Sequence, residues 1–160
     1  MARRVGVSWA APAHYFGDKE GLFTAIAVEG LQLLADQVMN TAPFRAGHDP
    51  DQVATVAKLY AQFATDHPAR FEVMCRRALL RSEDPRVRVA EDRLFLALGH
   101  LIAMSQRAGW RTDQDTDSLA AMTWCLAHGY CALSAQGSLA RQFFASSPPP
   151  VERLTATLLG

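Results

Sequence analysis

The sequence predicts an all-α fold. Apolar residues recur at three- and four-residue spacing from Asp18 onward, the signature of helices with one buried face. No stretch alternates apolar and polar residues with period two, and no Asn-Gly or Asp-Gly pair marks a hairpin. From Pro43 onward the prolines fall between the periodic segments or at their starts. The 160 residues are 49% hydrophobic and 20% charged, enough apolar content to exclude a disordered chain. A chain of this length buries about two thirds of its unfolded surface, so one core is expected. Lys plus Arg number 16 and Asp plus Glu number 16, giving zero formal charge. A neutral chain has no long-range pull toward phosphate, so any nucleic-acid contact must be local.

The elements follow in order. Asp18 caps a long helix to Thr41 that carries Leu22, Ala25, Ile26, Leu33 and Leu34. Two prolines and a glycine make Ala42 to Pro50 a loop. Val53, Val56, Tyr60 and Phe63 form one stripe of a helix ending near Asp66. His67-Pro68 opens the next helix, which carries Phe71, Met74, Cys75, Leu79 and Leu80. Ser82-Glu83-Asp84-Pro85 punctuates again. The longest stripe then follows, Leu94, Leu98, Leu101 and Ile102, and stops at Gly109. Ser118 to Ala135 is apolar almost all round, as expected of a helix sandwiched in a core or shared with a partner. Three prolines at 148–150 link it to a short amphipathic helix with Val151, Leu154 and Leu158. About seven helices are expected.

Cys75, Cys125 and Cys131 are odd in number and sit among apolar residues. They read as buried free thiols in a reducing compartment, and the chain as cytoplasmic. The N-terminus lacks the apolar core of a signal peptide. The run 119–135 is too short and polar for a membrane span, so no membrane partner is expected.

The most informative stretch is Ala2 to Leu22. Ala2-Arg3-Arg4-Val5 reads as a helix end, and Gly6 supplies the backbone freedom of a tight turn. Val7 is an apolar plug, Ser8 caps a short helix from Trp9 to Phe16, and Gly17-Asp18 leads into the long helix. Helix, glycine turn and capped short helix form the grammar of a helix-turn-helix.

Residues Arg4-Val5-Gly6-Val7-Ser8 and His14-Tyr15-Phe16-Gly17-Asp18-Lys19-Glu20-Gly21-Leu22-Phe23 resemble the DNA-binding region of TetR/AcrR-family transcriptional regulators. His67-Pro68-Ala69-Arg70-Phe71, the Ser82–Pro85 turn and Trp124-Cys125-Leu126-Ala127-His128-Gly129 resemble a TetR ligand-binding domain named for its Trp, His and Gly. The resemblance implies that Ser8, Trp9, His14 and Tyr15 lie on or beside the recognition helix, and that Lys19 meets a phosphate. Hydroxyl, imidazole, phenol and ammonium groups suit such contacts. It divides the chain into a partial helix-turn-helix with connecting helix, 1–40, and a ligand-binding and dimerisation domain, 41–160. Two departures stand out. Ala13 replaces a tyrosine usual in the family, and the helix that opens the family's DNA-binding domain has no counterpart in this sequence. The expectation is an N-terminally incomplete reading head whose binding to a double-stranded DNA operator is weak or lost.

The remaining candidates come from the residues themselves. Trp124 and His128 share a helix face and either line a pocket or form a core Trp beside a satisfied His. Phe63, Phe71, Met74, Phe95 and Trp110 are further pocket candidates for a small apolar or amphipathic ligand. Cys125, His128 and Cys131 share a broad face, but structural zinc takes four ligands, so no metal site is expected. Arginines 70, 76, 77, 81, 86, 88 and 93 interleave with carboxylates and read as an ion-paired face. No phosphate-binding loop, HExxH motif or other case for catalysis is found, and no cofactor is implied. The resemblance implies a homodimer that a ligand releases from DNA. Leu119, Met122 and Leu126, Leu133, Leu154 and Leu158 are its expected interface. The alternative is a helical dimeric interaction or small-molecule-binding module that does not touch DNA.

Overall fold

The computed structural model describes residues 16–41, 51–81, 83–144 and 147–159. Among them it is all-α, with seven α-helices and no strand. These are α1 (Lys19–Thr41), α2 (Asp51–Asp66), α3 (Pro68–Cys75), α4 (Pro85–Arg107), α5 (Thr116–Ala135), α6 (Ser138–Phe143) and α7 (Val151–Leu159).

Local chemistry explains where the helices begin. The Asp18 carboxylate accepts from the Gly21 amide at 2.7 Å, an N-cap for α1. Gly17 supplies the left-handed turn before it, at φ +76°. Asp84 caps α4 by accepting from the Arg86 amide, with Pro85 at the first helical position. Asp115 caps α5 from the Ser118 amide, so that helix starts two residues earlier than its apolar pattern suggests. Between α4 and α5, the Gln106 side-chain amide donates to the carbonyls of Arg111 and Gln114. Its oxygen accepts from Thr116, which pins the turn.

Two expectations are corrected. The helix from Pro68 does not run to Leu80; α3 ends at Cys75 and a 3-10 turn covers Arg77–Leu79. The backbone breaks at Arg76, which lets Leu80 turn into the core. The stretch after Gly137 holds a short helix, α6, that its weak apolar pattern hid.

The core lies where α1, α2, α4 and α5 meet. Leu34, Phe63, Val87 and Ile102 are its largest fully buried apolar side chains. The stripe Leu94, Leu98, Leu101 and Ile102 is buried throughout, as its spacing predicts. Helix α1 packs most extensively on α4 and also against α3. At Gly30 the Met74 and Arg70 side chains of α3 lie so close to the α1 backbone that an added Cβ would strike them. By length and composition α1 is apolar enough to cross a membrane, but its buried face is seated on α4 as a core helix.

Candidate ligand-binding site

Helices α2, α3, α5 and α7 leave an open groove of about 1090 Å³ between them. This is large enough for a drug-sized molecule. Its walls are mainly small or apolar: Ala61 and Ala64 from α2, Phe71 from α3, Ala132 from α5 and Val151 from α7. Cys75 and Cys131 also line it. Cys131 is buried, but Cys75 and Cys125 are exposed, contrary to the apolar setting their sequence neighbours suggest. Desolvation in the groove still pushes the Cys75 and Cys131 thiols up to about 11 and about 12, so both are protonated near neutrality. At the rim, Glu72 and Arg76 form an ion pair at 2.6 Å, one helical turn apart.

Behind Phe71 sits an aromatic cluster centred on Tyr60. The Tyr60 hydroxyl and His128 Nδ1 share a 2.8 Å hydrogen bond. Trp124 meets the Tyr60 ring edge-on at 5.0 Å, and Phe71 does so at 5.7 Å. Trp124 stacks over His128 and meets Phe95 edge-on. Burial drives the Tyr60 hydroxyl far above the usual phenol range, so it keeps its proton. Burial also lowers the His128 pKa, which favours the neutral imidazole. The cluster is therefore an uncharged, hydrogen-bonded wall.

The structure brings Phe71, Phe95, Trp124 and His128 together, and of these four only Phe71 lines the groove. Phe63 is buried in the core and packs on His67. Trp110 is buried beyond the end of α4, its amide bonded to the Ser105 carbonyl. Met74 faces α1 at Gly30. Periodicity places a residue on a buried face without saying which neighbour it meets, and these three face other neighbours. Tyr60 was read only as part of a stripe. Its hydroxyl on an apolar face was the available signal, since a buried phenol needs a polar partner.

Of the expected DNA contacts, Ser8, Trp9, His14 and Tyr15 lie outside the described residues. Lys19 is exposed in the first turn of α1, with its ammonium 5.4 Å from the Phe23 ring. Of the expected interface, Met122 and Leu133 are exposed on α5, and Leu158 on α7. Leu126 and Leu154 are half-buried. Leu119 is buried within its own chain, 3% exposed, so it offers no surface to a second copy. Six of the seven clustered arginines are ion-paired. Among the described residues no group of three potential ligands could hold a metal.

A family model described as "Tetracyclin repressor-like, C-terminal domain" matches residues 53–158. The chain belongs to the TetR family. The matched region spans the groove, the aromatic cluster and α7, so the TetR C-terminal domain is where the candidate site lies. A solved structure of a protein of unknown function from Rhodococcus sp. RHA1 has the same fold, with a TM-score of 0.76. It is 24% identical, with 98% of this TetR chain and 77% of that chain covered. No curated protein matches the chain.

Proposed function

We propose that this TetR-family chain is a ligand-responsive, DNA-binding transcriptional repressor that works as a homodimer in the cytoplasm. Residues 1–40 carry the reading head and connecting helix, and 41–160 the ligand and dimer unit. The observation that carries the reading is the position of α3. One face lines the groove through Phe71, Glu72 and Cys75. The other presses on α1 at Gly30, where Arg70 also pairs with Glu29. A molecule seated in the groove therefore touches a helix that packs directly against α1.

The chain after α3 extends this link to the first turn of α1. The Arg81 amide donates to the buried Thr24 hydroxyl at 2.9 Å. The Arg81 guanidinium donates to Asp18, the N-cap of α1, at 2.9 Å. Arg81 follows Arg76 of the groove wall by five positions. Beyond Asp18 lies the segment whose sequence resembles a helix-turn-helix. A ligand that fits one seating of α3 better than another shifts the set of α1; equal affinity for both would shift nothing.

Met122, Leu126 and Leu133 fall on one stripe of α5, and a Cβ on Gly129 would meet nothing within 4 Å. With Leu158 on α7, this surface suits an isologous contact between two copies. The test is selection from a random duplex pool, followed by binding titrations across salt concentrations. A near-palindromic enriched site, bound weakly by this chain and with an affinity that falls steeply with salt, is expected. Recovery of no motif, with no salt dependence, would favour an interaction module that does not touch DNA.

A further inference from the structure

The groove's chemistry narrows what it accepts. We infer that it selects a neutral, largely apolar molecule bearing one hydrogen-bonding group, over an anion or cation of the same size. This rests on the reading of the groove as the ligand site.

Three observations support it. First, the wall offers no net charge. Glu72 and Arg76 neutralise each other, and the other two charged lining residues are Lys58 and Glu152, one of each sign. An ion entering such a site loses hydration and gains no dominant counter-charge. Second, the remaining wall is uncharged. Cys75 and Cys131 are protonated thiols, and the cluster behind Phe71 is neutral. Protonated thiols are poor ligands for soft metal cations and poor nucleophiles toward electrophiles.

Third, one hydroxyl on the wall lacks a partner. Thr24, Ser105, Thr123 and Thr155 are buried, and each donates to the carbonyl four residues back. Ser134 lines the groove, its Oγ is buried, and among the described residues no group meets it in ordinary hydrogen-bond geometry. Tyr130 is its nearest hydrogen-bonding neighbour. Burial raises the Tyr130 pKa and Ser134 is close enough to lower it through a side-chain hydrogen bond, but the pair falls outside ordinary hydrogen-bond geometry. An orphaned buried hydroxyl calls for an explanation. A ligand hydroxyl or carbonyl reaching Ser134 on a small rotation of the side chain supplies one.

The experiment uses the fluorescent probe N-phenylnaphthylamine, which brightens in apolar sites, displaced by octanol, octanoate or octylammonium. These competitors share one chain and differ in head group. Octanol is expected to displace the probe at a concentration at least about tenfold lower than either ion. Ser134→Ala should weaken octanol about tenfold, as loss of one buried hydrogen bond does, and leave the probe's own affinity unchanged. The same substitution should raise the thermal midpoint of the unliganded protein, because it removes an unsatisfied buried group. A purely structural serine would not move these readouts in opposite directions. Ala132→Phe, checked for unchanged helicity, should abolish probe binding by filling the groove. Equal or better displacement by octanoate or octylammonium overturns the inference, as does an unchanged octanol affinity in Ser134→Ala. Failure of the wild-type protein to bind the probe, or probe binding that survives Ala132→Phe, overturns instead the assignment of the groove as the ligand site.

Discussion

Tyr60 and His128 couple the fold to pH. Burial holds the His128 pKa below its ordinary value of 6.5, whereas the unfolded chain titrates near that value. Below that pH the unfolded state binds more protons than the folded state. The stabilisation is therefore complete above it and declines as the solution is acidified through it. Wild-type protein should lose thermal stability between neutrality and mildly acid pH, and His128→Gln should flatten that part of the profile. A calorimetric series across this range checks it; parallel profiles would contradict it. A second residue sets the scale of the core. Phe63 is 1% exposed, and Phe63→Ala should cost about 3–5 kcal/mol in urea unfolding. A loss under about 1 kcal/mol would mean that the site collapses around the missing ring.

At the scale of elements, Gly30 sets how closely α1 and α3 approach. A larger side chain there must push Met74 and Arg70 aside. Gly30→Val should destabilise by about 1–3 kcal/mol, since overpacking outweighs any gain in helix propensity. It should also alter binding of N-phenylnaphthylamine, because α3 forms part of the groove wall. Unchanged stability and binding would show that the contact is soft.

The elements also show what the sequence made legible. Helix starts were readable because Asp18 and Asp84 are short acceptors that bond nearby amides. The stripe on α4 was readable because a helix with one wet side must repeat. The break after Cys75 was hidden. Leu79 and Leu80 continue the apolar pattern, but the Arg81 amide is claimed by Thr24, 57 residues away in sequence. A long-range partner decides that turn, and periodicity carries no record of it. The same limit applies to the site. Trp124 and His128 were readable from their four-residue spacing, whereas Tyr60, Ser134 and the groove walls come together only through the packing of α2 and α5. Met74 and Trp110 looked like the cluster residues and face other neighbours.

For the whole molecule, the neutral charge balance fits a protein whose contacts with phosphate are confined to one end. The exposed stripe on α5 belongs to the same scale. Leu126→Glu places a carboxylate in it and should convert the proposed dimer to monomers of the 17.5 kDa chain mass by light scattering. An unchanged mass would place the contact elsewhere.

The central claim is that filling the groove is felt at the start of α1 through Arg81. Hydrogen exchange read by mass spectrometry tests it most directly, with and without N-phenylnaphthylamine, in wild type and in Arg81→Ala. The account predicts a ligand-dependent change in exchange over residues 17–24 in the wild-type protein, and none there in Arg81→Ala at equal probe saturation. A change confined to the groove, or the same change in both proteins, would contradict it.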